Sequence, residues 1–200
     1  MKLLLAGPSP FVRKVRVLLH ETDQLDDVEM VHVIASPLGP DPELVAVNPT
    51  GKIPALIRKD GPAIYDSRVI CRFLDDRARS NLYPASRLWE TLTLEATADA
   101  MMDAAVLMVY EARFKDPAQQ SHDWIEGQWA KVDRALDAIE TRWMSHLSGR
   151  MDMAHIAMAC ALSYLDFRHE GRNWRKGHDA LAKWHATFAA RESMIATQPE

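Results

Sequence analysis

Three short stretches of the chain carry groups that could do chemistry. Ser9 stands directly before Pro10, at the head of a run in which Val12, Val15 and Leu19 form one helical stripe. Serine there caps a helix, and proline suits the first helical position. A hydroxyl beside the bare N–H groups of a helix start can also hold an anion, because that end carries partial positive charge. Asp66-Ser67 opens another such run. It too can cap, and it offers N–H groups and a hydroxyl to a carboxylate while Asp66 offers a charge to an amino group. The third stretch is TGKIPALI, Thr50 to Ile57. Pro54 interrupts what otherwise reads as a strand, and proline cannot donate to a sheet ladder. On these residues alone it is either a turn proline at the start of a strand or a break that makes the strand edge available to a ligand.

A fourth pattern comes from spacing. Glu95, Asp99 and Asp103 recur every four residues and share a helix face, where like charges oppose each other mildly. Such a column is either a solvated face or, since Leu92, Met102 and Val106 flank it, the lining of a cleft or subunit seam. Other residues carry less. The eight histidines show no HExxH or paired metal spacing, so no metal is expected. Arg13, Lys14 and Arg16 read as a small solvated cluster without the aromatic interleaving of a nucleic-acid platform.

Bulk properties exclude several classes. With 48% hydrophobic and 26% charged residues the chain is ordinary for a globular protein, and a net charge of -4 gives no pull toward nucleic acid or anionic membrane. The opening MKLLLAGPSP is cut by Pro8 and Pro10 too early for a secretory segment, and no apolar stretch reaches membrane-spanning length. Cys71 and Cys160 sit far apart in apolar helical contexts and read as buried thiols of a reducing compartment, so a cytoplasmic location is expected.

The elements that must position these groups follow from periodicity. Lys2–Ala6 and Val28–Ile34 read as strands, with a helix from Ser9 to about Glu21 between them and a short helix at Glu43–Val47. Ala55–Arg58 and Ala63–Tyr65 read as a hairpin turned at Asp60-Gly61, followed by a helix from Ser67 to about Arg77 with Val69, Ile70, Phe73 and Leu74 on its inner face. After that the pattern is wholly helical. Leu88 to about Tyr110 is one long helix, Ile125 to Leu147 another, Met153–Leu165 is apolar nearly all round, and Leu181 to Phe188 marks a last one. The fold class is therefore a mixed four-stranded α/β domain over 1–78, a linker over 79–86, and an all-α bundle over 87–200.

This order, with SPFVRKVRV after the first strand, NPTGKIPAL before the hairpin and YDSRVI opening the third helix, resembles the glutathione S-transferase family, bacterial and serine-type. ALSYLDFR and LAKWHATFAAR resemble its later helices, so the likeness covers about residues 1–191. It implies a thioredoxin-like first domain and a cis Ile53–Pro54 peptide, whose Ile53 N–H and C=O pair with the cysteinyl backbone of glutathione as an added strand would. It implies that Ser9 stabilises the glutathione thiolate, with the Phe11 N–H as alternative donor. Lys52, Ile53, Pro54, Asp66 and Ser67 bind the tripeptide, Asp66-Ser67 taking its γ-glutamyl end. Asp99 is implied as a ligand reaching the amine in a partner subunit. Tyr110, Arg113 and Phe114 end the fourth helix and are candidates for lining a second-substrate pocket.

The family implies a homodimeric transferase that attacks an electrophilic, mostly apolar co-substrate, or alternatively a non-catalytic glutathione-binding or regulatory protein of the same fold. Three departures stand out. Pro8 lies where some relatives have a second hydroxyl. His155 replaces the acid expected three residues after the Asp152 cap, and Glu192 replaces a proline, which should loosen the tail.

Overall fold

The computed structural model describes residues 1–199. The chain divides into two compact units: Met1–Pro84 together with the residues from 192 onward, and Ala85–Arg191. In chain order the first unit carries β1 (Lys2–Leu5), α1 (Pro10–Glu21), β2 (Glu29–His32), β3 (Ala35–Ser36), β4 (Gly39–Pro40), α2 (Pro42–Val47), β5 (Ala55–Ile57) and α3 (Ser67–Ala78). β1 is the central strand. It runs parallel to β2, Leu5 opposite His32, and antiparallel to β5, Leu4 opposite Ala55. A parallel pair needs a crossover, and α1 supplies it.

Leu3, Leu4 and Leu5 are all buried. A strand covered on both faces reads as a continuous apolar run, as this one does. On one face Leu4 and Ala55 pack with Val33 and with Leu44 of α2. Leu3 and Leu5 point to the opposite face, and α1 and α3 pack on each other.

Several local expectations change. The fourth strand is reduced to a single antiparallel bridge, Leu56 opposite Ile64, closed by two reciprocal 2.9 Å hydrogen bonds. Pro62 has no N–H to extend it, and the chain turns into α3 at Asp66. The Pro-rich loop after β2 contains the small β3–β4 hairpin, Ser36 opposite Gly39. Val69 faces outward at 49% exposure, because α3 buries Ile70, Cys71 and Leu74 instead. The stretch read as a linker is packed: Leu82 and Tyr83 are buried, and Asp75 Oδ1 accepts from the Leu82 N–H at 2.7 Å.

The second unit is helical: α4 (Leu88–Phe114), α5 (His122–Arg142), α6 (Met144–Leu147), α7 (Met153–His169) and α8 (Asp179–Ala189). α7 is central, packed chiefly against α4 and also against α8, and it is buried almost all round. The expected helix over 125–147 is two helices, parted at Trp143, whose φ of -118 and ψ of -1 depart from regular helix geometry. All six tryptophans, at 89, 124, 129, 143, 174 and 184, lie in this unit. Among the described residues no helix is long and apolar enough to cross a membrane.

A short final helix, α9 (Glu192–Ala196), groups with the first unit and packs on α1. Here the basic cluster read as solvated is corrected. Arg13 is buried, its Nη2 donating to the Met194 carbonyl at 2.9 Å and its Nε to Thr197 Oγ1 at 3.4 Å; Lys14 is buried as well. The Ser193 hydroxyl donates to Glu21. The tail is anchored rather than loosened at Glu192.

The start of α7 carries a polar hub. The Asp152 carboxylate is 0% exposed and caps α7, Oδ1 accepting from the Ala154 N–H at 3.1 Å. Its Oδ2 takes the Thr91 hydroxyl at 3.0 Å and Arg87 Nε at 3.1 Å, and His146 Nε2 lies 2.8 Å away. His155 Nδ1 is 3.2 Å from the Asp152 N–H and 2.8 Å from Oδ1. An imidazole nitrogen can accept the first contact or donate to the second, so the cap closes with the ring in either state. Burial pushes the Asp152 carboxyl up, but the His155 hydrogen bond, the His155 and His146 charges and the Thr91 hydroxyl together hold it below its ordinary value.

Asp152→Ala is expected to cost about 3–5 kcal/mol at neutral pH, measured by urea unfolding, because it removes a fully buried carboxylate that partners a half-buried guanidinium, a hydroxyl and two rings. With the folded pKa below the ordinary 3.8, this contribution is complete above that value and lost as pH falls through the lowered one. The gap between wild type and Asp152→Ala therefore closes in acid. Arg13→Met should cost about 1–3 kcal/mol, since the buried Met194 carbonyl loses its donor; an unchanged urea midpoint refutes it.

Candidate functional site

Ser9 is the N-cap of α1, as its place before Pro10 predicts, with Oγ accepting from the Val12 N–H at 3.4 Å. Among the described residues none accepts from its O–H. The Phe11 N–H, in the unpaired first turn, also has no described partner, so two donors stand open at this helix start.

The Ile53–Pro54 peptide is cis, as the resemblance implies. No hydrogen bond joins the Ile53 N–H or C=O to another described residue. The segment is held from behind by Asn48, 1% exposed, whose Nδ2 donates to the Lys52 carbonyl at 2.7 Å and whose Oδ1 accepts from the Thr50 N–H at 3.1 Å and hydroxyl at 2.8 Å. Gly51 turns the chain with φ +63, where a Cβ would be strained. Sequence reasoning gave Asn48 no role; its one signal was its place at the head of NPTGKIP. The Lys52 side chain is exposed and Pro54 buried.

Asp66 is the N-cap of α3 and Ser67 its buried first residue. Asp66 Oδ1 accepts from the Arg68 N–H at 3.0 Å and Oδ2 pairs with Arg68 Nη2 at 2.9 Å. Partial burial raises its pKa, yet the Arg68 hydrogen bond and charge, the Arg68 N–H and the Lys14 charge outweigh this and hold it below the ordinary value. Both partners of the Asp66–Arg68 pair are more than half exposed, so the pair is weak and a ligand cation can displace it.

Register brings these three places together. Leu4 opposite Ala55 sets the end of β1 beside the start of β5, so the turn to Ser9 and the Ile53–Pro54 bend lie at one end of the sheet. Ile64 pairs antiparallel to Leu56, so the chain runs back toward that same end before Asp66. The result is an open main-chain edge flanked by two helix N-termini, one with a hydroxyl and one with a carboxylate. It can take an extended, zwitterionic ligand and hold an anionic atom near Ser9.

The remaining expected site residues lie in the helical unit. Glu95 and Asp99 are buried and Asp103 exposed, so the acidic column is solvated only at Asp103. Tyr110 and Phe114 meet edge to face at 5.1 Å, with the Arg113 guanidinium 5.5 Å from the Phe114 ring centre. His146, Asp152 and His155 bring three potential metal ligand atoms within 4.8 Å of one another. All three are engaged in the hub, where Arg87 already supplies a cation to the same carboxylate oxygen.

Both units are similar to known proteins. Residues 8–77 match the family model of the glutathione S-transferase N-terminal domain, and residues 123–187 that of the C-terminal domain. The uncharacterized GST-like protein YibF of Escherichia coli K12 is 32% identical, the match covering 100% of this chain and 98% of that protein. A glutathione transferase family member from Pseudomonas fluorescens Pf-5, solved with bound glutathione, is 45% identical with a TM-score of 0.97 over 100% of this chain and 98% of that one. A second such structure from that organism, holding S-(propanoic acid)-glutathione, is 44% identical with a TM-score of 0.92, and both chains are covered to 100%.

Proposed function

The chain belongs to the glutathione S-transferase family, and we propose that it is a transferase that binds glutathione on its first unit and activates it as a thiolate. The observation that carries this reading is the open Ile53 main chain at the sheet end shared with Ser9 and Asp66. The Ile53 N–H and C=O pair with the cysteinyl residue of the tripeptide. Asp66 receives the γ-glutamyl ammonium, and Ser67 with the α3 N–H groups receives its carboxylate. Lys52 and Pro54 flank the bound chain. Asp99 has the least support in this set, because it is buried and engaged within its own chain.

The Ser9 hydroxyl donates to the sulfur, and the start of α1 adds its partial positive charge. A free thiol titrates near 8.5, and each unit of lowering is worth about 1.4 kcal/mol of preference for thiolate. The thiolate attacks an electrophilic carbon, forming a C–S bond while the leaving group departs with its electron pair. Tyr110, Arg113 and Phe114 contribute to the pocket for that electrophile. The related chain that holds S-(propanoic acid)-glutathione supports room for a substituent on the sulfur. Two buried thiols, Cys71 and Cys160, support a cytoplasmic setting. The protein works as a homodimer. This is supported by an apolar groove of about 560 Å³ lined by Trp89, Leu92, Ala96, Ala100 and Met101 of α4 with Ala135 of α5, beside which the Trp89 ring is 75% exposed.

Ser9→Ala is expected to raise the pKa of bound glutathione by roughly one to two units, followed by thiolate absorbance against pH, and to slow conjugation at neutral pH about 10- to 100-fold. If the titration stays put, the Phe11 N–H is the activating donor. Retention on immobilised glutathione with no turnover of any electrophile points to the non-catalytic alternative. Trp89→Glu should convert a dimer to a monomer in light scattering, and a wild-type monomer rules the dimer out.

A further inference from the structure

The C-terminal end of α7 meets the second half of α4 where His169 Nε2 lies 3.0 Å from the Ala105 carbonyl. Around that junction the helical unit gathers phenols, guanidiniums and aromatic faces. Tyr164 lies 6.4 Å, ring centre to ring centre, from both Phe167 and His169. The Arg168 guanidinium stacks 4.0 Å over Phe167, and the charge of Arg168 and the phenol of Tyr110 both act electrostatically on the Tyr164 hydroxyl. On α4, Arg113 stacks over Phe114, itself against Tyr110.

The charges in this group are unbalanced. Elsewhere in the unit two stacked arginines meet an acid: Arg172 bonds Glu126, and Arg175 bonds Asp166. Arg113 and Arg168 are exposed, and neither forms an ion pair with a described acid. Burial pushes the Tyr164 phenol up to about 12, so it stays a neutral donor across the physiological range. A guanidinium fork beside a phenol donor suits a planar carboxylate, and the adjoining aromatic faces suit an apolar body.

We infer that Arg168 and Tyr164 form a carboxylate-binding site, with Arg113 as a second cation, so that the electrophile taken by this protein is an organic acid rather than a neutral apolar molecule. The inference rests on the assignment of Tyr110, Arg113 and Phe114 to the second-substrate pocket, and it adds two residues of α7 that no sequence motif marked.

Calorimetric titration separates the possibilities. Glutathione, S-propylglutathione and S-(2-carboxyethyl)glutathione are titrated into wild type, Arg168→Gln and Tyr164→Phe. Wild type should bind the carboxyethyl conjugate about tenfold or more tighter than the propyl one, a preference that shrinks in high salt. Arg168→Gln should bring that ratio close to one while the affinity for glutathione itself stays unchanged, and Tyr164→Phe should lower it several-fold. Arg168 is exposed, so its replacement leaves the core intact. Equal affinities in wild type, or a preference that survives Arg168→Gln, overturn the inference. A parallel NMR titration with 4-chloro-3-nitrobenzoate against its amide, without thiol, reads the site apart from glutathione. Acid-selective shifts lost in Arg168→Gln, with no binding of any glutathione derivative, keep this site and refute the glutathione reading. No acid preference in either titration refutes this site alone.

Discussion

The antiparallel register of β5 on β1 is the constraint on which the site depends. Because side chains alternate along a strand, a slip of one residue would send Leu4 and Ala55 to the wrong face and break their packing on Leu44. The core therefore fixes the register, and the register fixes where the chain can bend out of the sheet. Ile53 falls just before the first paired residue of β5, where its polar groups have no neighbour within the sheet. Asn48 then holds the approach to that bend from the interior. An open main-chain edge is ordinarily an aggregation hazard. Here it is only a residue or so long and is bounded by Pro54, which limits it to a short guest.

The helical unit is organised by a different kind of force. α7 is too uniformly apolar for its pattern alone to fix its rotation against α4 and α8. A buried carboxylate with donors from Arg87, Thr91 and its own helix, and two imidazoles beside it, favours the rotation adopted, because turning α7 would draw the charge away from those partners. Replacement of the usual acid by His155 is thus accommodated. The ring still closes the cap, and it also packs against Trp184 and Phe188.

Elements whose signals are local were legible in the sequence. α1 begins and ends as Ser9, Pro10 and its apolar stripe predict, and the helix caps at Asp66 and Asp152 were also readable. What depended on distant partners was not. Arg13 and Lys14 carry charge, so their sequence suggests water, and only the return of α9 onto α1 explains Arg13 inside. Val69 sits one position from the buried stripe, and a hundred-degree turn of the helix separates its fate from that of Ile70. Trp143 carries no breaker residue, so the division of α5 from α6 left no trace in the sequence. Of the site, the two helix starts and the proline were visible. The supporting role of Asn48 was not, because a buried amide looks like any turn residue until its partners are known.

The placement of every tryptophan in the helical unit has an optical consequence. Indole emission follows the melting of the bundle and carries no direct signal from the sheet domain, whose only intrinsic chromophores of note are Tyr65 and Tyr83. A fluorescence trace therefore watches the bundle alone, whereas far-ultraviolet dichroism sums the helices of both units, and their coincidence or separation during denaturation reports whether the two halves come apart as one body.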